Sequence, residues 1–298
     1  MNKFIQFELW KDCSNHCPFC FNRGQIEVNK AQSCRYILEQ LNNIEPNTYD
    51  YIGLIGGEFF NGEAKLHMNS FFLILRRIRD LNPKKIYITT SLLYNIHDYL
   101  VPVLKAIDKV LGCLDKIVLC TSWDKKWRFK TGDDQMIWSH NMLWLKNKFP
   151  QVELHTEMIL TQPLIDAVNS KQLNFGLFKK VFRCSLDFIE PSSGLYFKDK
   201  QECQQELDGF FPTKSSFVAF LNNIKDDIDL DNLLSMDYRS NELHYYEDGV
   251  LSVAKNRRET AGRCELRDKS RKYEIGFIDS DEPMRDVVLA FQDMVVDV

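Results

Sequence analysis

The residues best equipped for chemistry lie close together near the N-terminus, in Cys13-Ser14-Asn15-His16-Cys17-Pro18-Phe19-Cys20. Thiolates hold iron well, and gaps of three and then two residues let one loop wrap three corners of an iron–sulfur cubane while the fourth iron stays open. Zinc competes for the same sulfurs, because Cys-x-x-Cys is a common zinc half-site and His16 offers a fourth ligand. His16 adjoins Cys17, however, which makes joint ligation of one tetrahedral ion awkward, and the sequence has no second Cys-x-x-Cys or spaced histidine pair. The spacing favours iron and sulfur; a zinc-stabilised binding or regulatory module without redox chemistry is the alternative.

A second group follows the run Tyr51-Ile52-Gly53-Leu54-Ile55, which leads straight into Gly56-Gly57-Glu58. Two glycines let the backbone approach a ligand closely, and Glu58 is able to pair with a cationic ammonium group. Taken alone, the same residues describe a strand-ending turn with a solvated glutamate. Their occurrence one β-α unit after the cysteines favours the functional reading.

These groups need a scaffold, and the hydrophobic pattern predicts an α/β one. Short β-branched or aromatic runs beginning near Phe4, Tyr51, Lys85, Lys116, Val152 and Val181 alternate with helical spacings, for example Cys34, Ile37, Leu38 and Leu41, then Phe71, Phe72, Leu75 and Ile78, then Leu100, Val103, Leu104, Ile107 and Leu111. Pro163 suits the first turn of the helix that precedes Val181. Alternation within the strands sets Gln6 and Glu8 against Ile5 and Phe7, and Tyr87, Thr89 and Ser91 against Ile86 and Ile88. It likewise sets His155 and Glu157 against Leu154 and Met158, and Arg183, Ser185 and Asp187 against Cys184 and Leu186. Strands buried on both faces read as continuous apolar runs, so a polar face implies a wet or ligand-filled lumen. The expected architecture is a partial (β/α)6 barrel of parallel strands over 1–190, with a C-terminal α+β extension over 191–298 that covers it. A hairpin turn is expected at Asp248-Gly249. The cysteine loop then sits at the C-terminal end of the first strand, where β/α barrels place their catalytic groups.

The 298 residues, 44% of them hydrophobic, suffice for a large core. A net charge of −4 gives no bulk support to nucleic-acid binding. Neither a signal-peptide core nor a membrane span is apparent, so a cytoplasmic protein is expected. Nine cysteines, an odd number, argue against a secreted disulfide framework. Cys34, Cys113, Cys120, Cys184 and Cys203 fit helices or strands as small apolar groups, and Cys264, in an arginine-rich stretch, stands alone where an auxiliary cluster needs several ligands.

With these motifs in view, the sequence resembles the radical S-adenosylmethionine (SAM) superfamily, whose signature is Cys-x-x-x-Cys-x-x-Cys with an aromatic before the last cysteine, here Phe19. Family members carry Gly-Gly-Glu-Pro where this chain has Gly56-Gly57-Glu58-Phe59, and that segment engages the amino end of SAM. The resemblance covers about residues 1–190. It implies a [4Fe-4S] cluster on Cys13, Cys17 and Cys20, SAM bound to the open iron, and reductive cleavage of SAM to a 5′-deoxyadenosyl radical that takes a hydrogen atom from the substrate. It further implies SAM contacts from Phe19, Gly56, Gly57, Glu58, Thr90, Ser91, Ser122 and Asp124, with Met158 and Thr161 as weaker candidates for the adenine region, and an electron donor of flavodoxin or ferredoxin type. His155, Glu157, Arg183, Asp187, Tyr87, Gln6 and Glu8 are the lumen candidates for a polar substrate: a small metabolite, a nucleotide or a peptide side chain. The single cluster and short extension argue against the multi-cluster peptide-maturation enzymes.

Overall fold

The computed structural model describes residues 3–9, 13, 15–20, 30–60, 68–193, 197–234, 242–245, 251–254 and 274–296. Its strands are β1 (Phe4–Glu8), β2 (Tyr51–Ile55), β3 (Lys85–Thr89), β4 (Ile117–Ser122), β5 (Glu153–Ile159), β6 (Ser185–Ile189), β7 (Glu242–Tyr245) and β8 (Leu251–Ala254). Its helices are α1 (Lys30–Asn42), α2 (Met68–Leu81), α3 (Leu100–Leu111), α4 (Gly132–Lys148), α5 (Gln162–Asn169), α6 (Phe175–Phe182), α7 (Lys200–Glu206), α8 (Lys214–Ile224) and α9 (Met284–Val296). One sheet runs β6-β5-β4-β3-β2-β1-β7-β8. Strands β1 to β6 are parallel neighbours in chain order and form the partial barrel that the alternation predicts.

The outward face of this sheet is apolar. Ile5, Phe7, Ile52, Leu54, Ile86, Ile88, Leu119, Leu154 and Met158 are almost fully buried against Ile37, Leu41, Phe71, Leu75, Ile78, Leu104, Ile107 and Trp138 of the helices. Each such side chain contributes about 1.5–3 kcal/mol on leaving water, and together they make the sheet a rigid platform. Trp138 also donates its indole N–H to the Thr121 hydroxyl at 3.1 Å, satisfying the one polar group that it buries.

Two expectations need correction. The sixth strand begins at Ser185, because Phe175, Phe178 and Phe182 continue a helix opened by Asn174, whose side chain accepts the Leu177 N–H at 2.7 Å. Phe178 and Phe182 pack on Trp138, so tertiary contact decides between helical and strand periods that overlap here. Arg183 is thereby the left-handed C-cap of α6 (φ 50) and is solvent-exposed, not a strand residue facing the lumen.

Beyond residue 191 the chain does more than pack on the barrel. β7 and β8 are antiparallel, with Tyr245 opposite Leu251, as a hairpin requires, while its Asp248-Gly249 turn lies outside the described residues, as do the arginine-rich stretch and Cys264. β7 pairs in parallel with β1, His244 standing in register with Gln6. The hairpin so occupies the backbone hydrogen-bonding edge that β1 otherwise presents. Among the described residues no helix is long and apolar enough to cross a membrane.

Candidate functional site

The cysteine loop leaves β1 while still tied to the sheet, the Leu9 N–H donating to the Ile55 carbonyl at 3.0 Å. Cys17 is buried, Cys13 and Cys20 are partly so, and the Cys20 N–H closes a tight turn on the Cys17 carbonyl at 3.1 Å. Burial pushes the Cys13 thiol up to about 11, and the charges of Glu58, Cys17 and Cys20 act in the same direction. A metal ion taken up by that sulfur would displace a proton. His16 is solvent-exposed and adopts a left-handed backbone (φ 46). Among the described residues no three His, Cys, Asp or Glu side chains converge on a single metal-ion position. Three thiols on one loop, with the neighbouring histidine exposed, are a donor set suited to three corners of a [4Fe-4S] cluster.

Beside this loop, Gly56 ends β2 with φ 149, a conformation that side-chain-bearing residues rarely adopt. Glu58 follows and is 1% exposed. Its Oε1 accepts the Phe60 N–H at 3.1 Å and the Thr90 hydroxyl at 3.0 Å, and its Oε2 accepts the Ser91 N–H at 2.6 Å. The Thr90 hydroxyl also meets the Tyr94 hydroxyl at 2.8 Å. Burial raises the Glu58 carboxyl above its usual range despite these donors. A carboxylate so engaged by its own chain ties the Gly56-Gly57 turn to the end of β3. Phe59, standing where the resemblance expects proline, is 0% exposed and packs on Phe60 and Phe71, so packing supplies the rigidity that the ring would have given.

Thr90 and Ser91 are both buried at the end of β3. Leu92, the next residue, has φ 57, a left-handed conformation that costs a side-chain-bearing residue about 1–2 kcal/mol. Buried Asn141 of α4 holds that turn by donating to the carbonyls of Leu92 (3.0 Å) and Tyr94 (2.9 Å). Strain is thus maintained by a helix on the outer layer, next to the residues expected to meet the cofactor. Tyr94 and Asn141 carry no sequence motif; only the fold exposes their part.

At the end of β4, Asp124 is 6% exposed, and its Oδ1 accepts the backbone N–H groups of Lys126, Trp127 and Arg128 at 3.1, 2.6 and 3.1 Å. It caps the turn, and burial raises its carboxyl above the ordinary carboxylate range. Asp124 and Thr161 line a small crevice between the ends of β4 and β5. Ser122 stands one step below, in register with Glu157. Met158 lies on the helix-facing side of β5 in the core, away from this crevice, which removes it as an adenine candidate. The larger cavity, about 170 Å³, lies between α2 and α3 behind Phe59 and Phe60, outside the barrel.

Three of the lumen candidates gather on one side. His155, Glu157 and Asp187 come together across β5 and β6: His155 Nδ1 lies 2.8 Å from the Ser185 hydroxyl and Nε2 lies 3.8 Å from Asp187 Oδ2. Cys120 shares this face in register with His155, a position legible from the alternation Val118, Cys120, Ser122. On the other side, Tyr87 belongs to an aromatic trio with Phe4 and Tyr51 at 5.6 and 6.0 Å. Gln6 lies over Gly53, where an added Cβ would stand 2.7 Å from Gln6 Cγ. On that side Tyr87 and Gln6 are packed against their neighbours on β1 and β2. Glu8, higher on β1, is buried at 4% exposure.

Residues 6–137 match the family model of a 4Fe-4S single cluster domain. No curated protein matches the sequence. Among solved structures, the fold is similar to anSMEcpe with bound AdoMet and the Cp18Cys peptide, at 14% identity and a TM-score of 0.54, the match covering 85% of this chain and 74% of that one. Similar likenesses hold for anSMEcpe with AdoMet and for its complex with AdoMet and the Kp18Cys peptide, both at 15% identity, TM-score 0.54 and the same coverage.

Proposed function

We propose that this chain, an iron–sulfur enzyme with the radical SAM fold and a 4Fe-4S single-cluster domain, reductively cleaves SAM and uses the resulting 5′-deoxyadenosyl radical to take a hydrogen atom from a polar substrate. The observation that carries this reading is that the loops after β1 and β2 leave paired neighbouring strands at the same end of the sheet: the Leu9 N–H donates to the Ile55 carbonyl at 3.0 Å, just before Cys13, Cys17 and Cys20 on one strand and Gly56-Gly57-Glu58 on the other.

When bound, the cluster supplies the electron that opens the carbon–sulfur bond of SAM. The chain's own residues orient and shield. Glu58, Thr90 and Ser91 fix the Gly56-Gly57 backbone, which is free to approach the amino end of SAM because neither glycine carries a Cβ. Asp124 orders the β4 turn with one oxygen and is the carboxylate offered to a ribose hydroxyl. His155, Glu157 and Asp187 give the lumen its polar wall. A nucleotide, a small metabolite or a peptide side chain fits this chemistry, and the peptide-bound neighbours support keeping peptides among them. The segment after 191, with α7 near the cysteine loop, acts as the cover that keeps water and stray hydrogen donors away.

Anaerobic reconstitution tests the reading. Iron and sulfide near four of each per chain, the broad visible absorption of thiolate-bound iron, and formation of 5′-deoxyadenosine and methionine from SAM with dithionite are expected. A colourless protein that binds one zinc and leaves SAM intact contradicts it.

A further inference from the structure

Phe210 stands where three functional elements meet. Its ring stacks on that of Phe19 in the cysteine loop, with centroids 5.7 Å apart and planes at 23°. It also receives Trp127 edge-on at 5.4 Å, and Trp127 is the residue whose N–H Asp124 holds at 2.6 Å. Phe210 itself is 1% exposed and belongs to a compact apolar cluster with Phe197, Cys203, Leu207 and Phe211, separate from the main core.

The backbone that delivers this ring is pinned on all sides. Gly209 turns with φ 78, and its carbonyl accepts the Gln162 N–H at 3.0 Å, seating the turn on the start of α5. Lys126 of the β4 loop donates its ammonium to the Asp208 carbonyl. The Phe211 N–H is taken by Gln204 at 2.9 Å, and buried Lys200 ties α7 to the Phe277 carbonyl at 2.7 Å. A ring presented so firmly constrains the Phe19 side chain that stacks on it.

We propose that Phe210 is a positioning residue for the iron–sulfur loop: by stacking on Phe19 it fixes the adjoining Cys20 and seals that edge of the cluster site from water and dioxygen. The inference rests on the iron–sulfur reading of the three cysteines. It assigns to the C-terminal segment a part in holding the cluster site together, which the family-model match over residues 6–137 does not reach.

Two readouts test it, one without iron. In iron-free protein, pulsed iodoacetamide with mass spectrometry measures alkylation of Cys20. Phe210→Ala is expected to accelerate it about threefold to tenfold, the range that loss of one stacked aromatic pair gives. In reconstituted protein the same variant is expected to bind a normal amount of iron under anaerobic conditions but to bleach in air faster by a similar factor. Phe210→Trp, which keeps an aromatic face, is expected to stay near wild type in both. Leu207→Ala removes apolar volume from the same cluster while leaving the Phe210 ring in place, so it is expected to lower Tm and leave Cys20 alkylation unchanged. Wild-type alkylation in Phe210→Ala, or equal acceleration in Leu207→Ala, overturns the proposal. A wild-type chain that takes up no iron overturns the iron–sulfur reading instead, and the alkylation result still reports on the stack by itself.

Discussion

Glu58 Oε2 accepts the Ser91 backbone N–H at 2.6 Å, joining the turns after β2 and β3 across 33 residues of sequence. With the Thr90 hydroxyl on the other oxygen, the carboxylate is the fastener between the turns after β2 and β3. Several measurable consequences come from this arrangement.

Glu58→Gln replaces an acceptor-only carboxylate by an amide with one acceptor and one donor. One of the Ser91 N–H and Phe60 N–H groups then confronts an N–H instead of an oxygen. Hydrogen bonds to charged groups contribute about 1.5–3 kcal/mol, so a loss of that order in urea unfolding is expected, with weaker SAM binding in calorimetry and iron content retained. Thr90→Ser should behave as wild type, whereas Thr90→Val should resemble Glu58→Gln. Unchanged SAM affinity in both damaging variants removes the positioning role.

Cys17→Ala removes a sulfur that is 6% exposed within the loop, while Cys34→Ala touches only the core beneath α1. The first is expected to lose the intact cluster and all SAM cleavage. The second is expected to keep both and to lose about 1–2 kcal/mol of stability for the small cavity left behind. Iron analysis with chromatography of 5′-deoxyadenosine separates them.

Asp124 ties stability to pH in a defined direction. Burial raises its folded carboxyl above the reference value of 3.8. Between that reference and the raised value the folded chain binds more protons than the unfolded one, so stability from this group falls as pH rises through the window and then levels off. Denaturant titrations of wild type and Asp124→Asn from about pH 4 to about pH 7 should show the wild-type advantage greatest at the acid end and smaller at neutrality. An advantage that grows with pH contradicts the burial argument.

Gly53→Ala places a methyl 2.7 Å from Gln6 Cγ and 3.2 Å from Phe4 Cζ. Overpacking of this kind costs about 1–3 kcal/mol, more than the gain from a less flexible unfolded chain. Because Gln6 is the nearer obstacle, Gln6→Ala in the same chain should recover most of the loss. Additive losses in the double variant would place the strain elsewhere, on Phe4 and the aromatic base.

The sequence by itself determined the features that depend on neighbours in the chain. The thiol spacing of Cys13, Cys17 and Cys20 is legible as a metal-binding pattern that favours iron and sulfur over zinc, and the alternation of polar and apolar residues places His155, Glu157 and Asp187 on one face without reference to any partner. Tertiary structure decided the rest, because competing local patterns are resolved only by distant contacts. Val181 and Phe182 suit a strand as well as a helix until Trp138 supplies the surface against which Phe178 and Phe182 pack. Glu58 reads as a lone charge after a strand until the fold brings Thr90 and Ser91 within bonding distance. The stack of Phe210 on Phe19 and the pairing of β7 with β1 join segments far apart in sequence. No periodicity records such pairings, since they are chosen by which surfaces remain to be buried once the barrel has formed.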